Sequence, residues 1–152
     1  MKKILSIALL LNCLIVVGQN ELNLVPIPAE SSVQLNVKTK FIITKSTLLS
    51  YNSELLKKDV DFLISQIKFY YGFSVVSKLE PVNFKKKQKI KSNSIVITLL
   101  PEEYANTKGE EYYDIFGTTS NMQIMVNHSK GFFYSIQTLL QIFSKTSIKG
   151  QI

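Results

Sequence analysis

The chain is 152 residues with 18 basic and 11 acidic side chains, one histidine and one cysteine, for a net charge of +7. Every basic residue is lysine, so the bidentate arginine contacts typical of phosphate and guanine readers are missing and a nucleic-acid partner is not expected. With a single cysteine, Cys13, a disulfide framework within the chain is excluded, as is a cysteine-clustered metal site.

Lys2 and Lys3 precede an apolar run from Ile4 to Val17, broken only by Ser6 and Asn12. A membrane span needs roughly 20 such residues. The charged start, short apolar stretch and small Gly18 predict a signal peptide over 1–19, cleaved near Gly18 or Gln19, and no stable membrane anchor afterwards. An uncleaved N-terminal anchor is the alternative; lipidation at Cys13 is disfavoured because small residues do not precede it. Cys13 leaves with the signal, and 20–152 is sized for one domain with a real core.

From Leu22 to Pro28 the two prolines predict an extended segment. Alternation of Val33, Leu35 and Val37 predicts a half-buried strand over 33–37, and Phe41–Thr44 reads as a second short strand. Asn52 or Ser53 offers an N-cap to a helix over 54–71, with an apolar stripe of Leu56, Val60, Leu63, Ile67 and Tyr70. Gly72 ends it, and 73–76 is the next strand. The polar stretch 81–93 reads as a surface loop and contains Lys85, Lys86, Lys87, Lys89 and Lys91. No aromatic residue interleaves these lysines to stack bases; a solvated connector is favoured over an anion-binding loop.

The β-branched run Ile95–Leu99 suits a central strand, stopped by Pro101. A turn region over 102–109 follows. Strands over 112–118 and 122–127, joined by Thr119-Ser120-Asn121, form a hairpin. Ser129 can cap a final helix with the stripe Phe132, Ile136, Leu139 and Phe143. The expected fold is α+β: a two-layer sandwich of a largely antiparallel sheet with two amphipathic helices.

Chemistry-bearing residues are sparse. His128, at the last strand-to-helix junction, has no second histidine to share a metal and reads as a turn residue. Glu102-Glu103, Glu110-Glu111 and Asp114 are not spaced as a glycosidase pair and read as a solvated face. Phe69-Tyr70-Tyr71 and Phe132-Phe133-Tyr134 lie at helical spacing and read as core and interdomain packing rather than a sugar platform. No catalytic, cofactor-binding or metal-ligating residue is assigned, and no cofactor is expected.

Four segments, in order, carry a resemblance: Val25-Pro26-Ile27-Pro28; Phe41 to Thr47; Glu111 to Ile115 with Gln123 to Val126; and Gly131-Phe132-Phe133-Tyr134-Ser135-Ile136-Gln137-Thr138-Leu139-Leu140-Gln141. Together they resemble the small N-terminal domain of glycoside hydrolase family 20, the β-N-acetylhexosaminidases, over roughly 23–143. The resemblance implies a non-catalytic α+β domain ahead of a (β/α)₈ barrel. In the barrel an Asp-Glu pair assists the substrate's own acetamido group in releasing terminal N-acetylhexosamine. That pair has no counterpart in this chain, which is expected to be inactive alone. Its expected partner is the barrel, with glycans bound only through that barrel. A stand-alone secreted glycan- or protein-binding module is the alternative, and a basic surface protein acting through the lysine loop is a third.

Overall fold

A computed structural model describes residues 31–35, 41–82, 84, 89–105 and 108–145, with side chains to residue 142. The expected signal segment 1–19, the Val25–Pro28 segment, Val37, Lys85–Lys87 and the Phe143 side chain lie outside the described residues.

The described residues form strands β1 (Ser32–Leu35), β2 (Leu48–Tyr51), β3 (Val76–Leu79), β4 (Ser94–Leu99), β5 (Tyr113–Gly117) and β6 (Asn121–Val126). Helix α1 (Lys57–Tyr71) follows a 3₁₀ turn at Glu54–Leu56, and helix α2 (Ser129–Lys145) ends the described chain. One mixed sheet runs β1-β5-β6-β4-β2-β3. The fold is α+β, as read, but the sheet is mostly parallel: only the β5–β6 hairpin is antiparallel, while β1–β5, β2–β3, β2–β4 and β4–β6 are parallel. For two of the four parallel pairs, β2–β3 and β2–β4, the physical reason lies in β2. It immediately precedes α1, and β3 follows it, so the helix is a crossover that returns the chain to a parallel neighbour.

Two strand positions differ from expectation for related reasons. Phe41 and Ile43 are buried in the core, but only Ile42 makes a bridge, because the chain turns at once. Thr47 N donates to Thr44 O at 3.0 Å and Thr44 N to Thr47 Oγ1 at 2.8 Å. Asn93, in the left-handed region at φ 53°, locks this turn: its Oδ1 accepts from Thr47 Oγ1 at 2.6 Å, and its backbone O accepts from Leu48 N at 3.1 Å. The strand therefore begins at Leu48, and β3 begins at Val76, the register partner of Leu48, rather than at Phe73.

Helix α1 is built as its periodicity predicts. Ser53 Oγ accepts from Leu55 N at 3.3 Å, and Gly72 adopts φ 76° at the C-terminus, where its N–H reaches Lys68 O. Asn52, the other candidate cap, instead pairs both ways with the Leu99 backbone, at 2.8 and 2.9 Å. Leu56, Val60, Leu63 and Ile67 are fully buried; Tyr70, expected on this stripe, is exposed, because the stripe continues four residues on from Ile67, at Tyr71, which packs against the core. On α2, Phe132, Ile136 and Leu139 are fully buried. These residues share one cluster with Leu49, Tyr51, Ile95, Ile97, Tyr113, Ile115, Met122, Ile124 and Val126. By register these strand residues occupy one face of the sheet. The helices cover that face, and Tyr113 Oη and Thr138 Oγ1 meet at 2.6 Å within it.

Candidate interaction surface

On α2 the residues that follow the core stripe by one position, Phe133, Gln137 and Leu140, turn toward the surface, since a helix rotates about 100° per residue, whereas Ser135 and Thr138 before it stay buried. Phe133 follows buried Phe132 and is 43% exposed. Its ring stacks on Phe62 of α1, with centroids 6.4 Å apart, and meets Tyr134 edge-on at 6.1 Å. An aromatic seam thus joins the two helices on the side away from the sheet. Further along α1, Phe69 is 80% exposed and meets Tyr70 edge-on. Tyr71 stacks on Phe73, and burial pushes its hydroxyl up to about 12.

Beside the seam lies a cleft of about 350 Å³ lined by Asp59, Glu111, Ser129, Lys130, Phe133 and Tyr134. Partial burial pushes the Asp59 carboxyl upward, only partly opposed by Lys58. Lys130 reaches Glu110 at 2.5 Å; this hydrogen bond holds Glu110 below and Lys130 above their ordinary values.

The cleft wall is fixed by backbone contact. Gly131 N donates to Glu110 O at 3.0 Å, and a Cβ on Gly131 would stand 2.2 Å from Tyr112 O. Asn127 Nδ2 donates to Gly109 O at 3.1 Å. The loop carrying Glu110 and Glu111 is thereby held against the start of α2.

The sequence-marked residues distribute as follows. His128 is a turn residue that also caps α2: its Nδ1 accepts from Lys130 N at 3.2 Å, whereas Ser129, the expected cap, is the helix's first residue. Glu102 and Glu103 are exposed on a turn. Glu110 is paired with Lys130, Glu111 turns into the cleft, and Asp114 lies on the sheet's opposite face. Of the lysine run, Lys91 pairs with Glu80 at 3.1 Å, and Lys78 reaches the same oxygen at 3.0 Å; Lys78 first, then Lys91, pulls the Glu80 carboxyl down. Asp59 carried no signal in the sequence. It is one of several polar residues off the α1 stripe, and only its place in the cleft with Phe133 sets it apart.

A glycosidase site also presents two carboxyl groups across a cleft, and Asp59 and Glu111 line this one together. Comparison bears on this pair. The family model described as glycosyl hydrolase family 20, domain 2, matches residues 21–151. The chain belongs to this family. Domain 2 is the family's non-catalytic N-terminal domain and normally accompanies a catalytic domain in the same chain. Comparison with curated proteins finds no match. Gly131, which heads the last of the four resembling segments, is the glycine whose missing side chain lets this family 20 domain bring α2 against the Tyr112 carbonyl.

Proposed function

We propose that this is the non-catalytic N-terminal domain of an exported β-N-acetylhexosaminidase, and that the outer faces of α1 and α2 pack against the catalytic barrel. The observation that carries the reading is the aromatic seam Phe62–Phe133–Tyr134, which stays partly exposed although the opposite side of each helix is seated on the sheet. Exposed aromatic groups grouped on one face mark an interaction surface. Membership in the family supplies the occupant, the barrel that accompanies domain 2. On this reading Asp59 and Glu111 belong to the rim of that interface rather than to a hydrolytic pair, and glycans reach the reaction centre only in the barrel. Export follows from the Lys2-Lys3 start and the Ile4–Val17 run.

The test is sedimentation of the mature chain with a separately expressed family 20 barrel. Association that persists at high salt and is lost in Phe133→Lys is expected, because apolar burial is not screened as charge pairing is. A monomer that ignores the barrel overturns the reading in favour of a stand-alone module. The isolated chain should leave a chromogenic N-acetylglucosaminide uncut; cleavage abolished by Asp59→Asn or Glu111→Gln would place catalysis in the cleft instead.

A further inference from the structure

The face of the sheet turned away from the helices is not a plain polar surface. Two register rows cross it side by side. One runs Gln34, Phe116, Gln123 on β1, β5 and β6; the other runs Ser32, Asp114, Met125 on the same strands. Phe116 is 42% exposed and Met125 36% exposed, although their sequence neighbours Ile115 and Ile124 are fully buried. These six residues line a depression of about 180 Å³.

The chemistry of the rows is specific. Neighbouring strands lie about 4.8 Å apart, so two glutamine side chains rise on either side of one phenyl ring, about 10 Å from each other. Each amide offers two donors and one acceptor. Asp114 is fixed: it accepts from Ser32 Oγ at 2.5 Å and from the Tyr112 hydroxyl, which orients its remaining lone pairs. In a chain of net charge +7, no lysine among the described residues lines this depression, and its one carboxylate is already held by hydroxyl donors. Among the described residues of the depression an anion meets no cation, and a cation meets a carboxylate whose charge is shared. A neutral ligand with an apolar ring face and hydroxyls along its edge matches the set: the ring face on Phe116 and Met125, the hydroxyls on the amides and Asp114.

We propose that this depression is a glycan-binding subsite that takes a neutral pyranose of an oligosaccharide, separate from the helix face assigned to the barrel. The choice of a sugar over another neutral polyol rests on the proposed function; the location rests on the two rows alone. A site of this kind tethers the domain to polymeric substrate while the opposite face stays free for the barrel.

Calorimetric titration of the mature chain with the trisaccharide of β-1,4-linked N-acetylglucosamine tests it, with amide resonances followed by NMR. Saturable binding is expected, with shifts confined to β1, β5 and β6, weakened about tenfold or more in Phe116→Ala and in Gln123→Ala. Both side chains face solvent or the depression, so both variants should melt with the parent, and Gln34→Ala gives a third reading at an exposed position. Phe133→Lys should leave sugar binding intact, which separates failure of this site from failure of the barrel interface. No binding of the trisaccharide, binding indifferent to all three variants, or concentration-dependent shifts of the same resonances without sugar would overturn the proposal, the last by assigning the face to a second copy of the chain.

Discussion

Gly131→Ala is the sharpest test of how the domain is assembled. The added methyl would lie 2.2 Å from Tyr112 O, 3.1 Å from Tyr112 C and 3.2 Å from Glu110 O. All three are backbone atoms, so no side chain can swing aside. The start of α2 must retreat by about 1 Å to regain ordinary contact, and the 3.0 Å bond from Gly131 N to Glu110 O stretches with it. Overpacking costs about 1–3 kcal/mol. Replacing a helical glycine with alanine returns about 0.5–1 kcal/mol. The clash with rigid backbone places this site at the upper end, for a net loss of about 2 kcal/mol. For a domain of this size that is a drop of roughly 6–9 °C in melting temperature. Gly117→Ala is the matched control: its Cβ meets only the tip of Leu35, Cδ2 at 2.8 Å, which can rotate away. Differential scanning calorimetry of the parent and both variants reads the difference. Equal melting temperatures for the two variants would show that the α2 start is not held where the structure places it.

Two further substitutions probe the core and the cleft. Ile136→Asp puts a carboxylate between Phe132 and Leu139 on the buried face of α2; its cost of several kcal/mol stands against a total of roughly 5–15 kcal/mol. The variant should show no cooperative melt near the parent's by circular dichroism, and a melt within a few degrees would contradict the assigned core. Asp59→Asn should raise the melting temperature of the isolated domain at pH 7. Burial raises the folded-state pKa of Asp59 above its unfolded value, so its contribution is fully present below the unfolded pKa and is lost as pH rises through the folded one. The variant's advantage should therefore shrink as pH falls toward 4. A lower melting temperature at pH 7 would show that attraction of the carboxylate to the N-terminal end of α1 outweighs its desolvation.

Local signals carried the parts of the fold that local physics decides. The stripe from Leu56 to Ile67, the αL glycine at Gly72, the β-branched run of β4 and the β5–β6 hairpin each depend on residues within a few positions of one another. Two of the four parallel pairings depend on β2, and Leu48-Leu49-Ser50-Tyr51 gives little warning. Its doubled leucine spoils the alternation, and its first residue is set by Asn93, 45 positions downstream, through the bond from Leu48 N. The more apolar Phe41-Ile42-Ile43 attracts a strand reading because burial and strand formation share residue types; here Phe41 and Ile43 are buried without pairing, and exposed Ile42 alone makes a bridge.

The interaction surfaces were less legible for the same reason. Phe132-Phe133-Tyr134 reads as a block of packing residues, and periodicity does separate Phe132, inside, from Phe133, outside. What periodicity cannot supply is Phe62 opposite Phe133, a pairing across two helices 71 positions apart in sequence. Likewise Gln34, Phe116 and Gln123 are ordinary strand residues until the register sets them in one row. A one-residue slip of β1 against β5 would send Val33 and Leu35 to the open face and Gln34 into the core. The same pairing that buries Val33 against Ile115 therefore also places Gln34 beside Phe116. The surface row is not an independent feature of the sequence but a consequence of burying the opposite face.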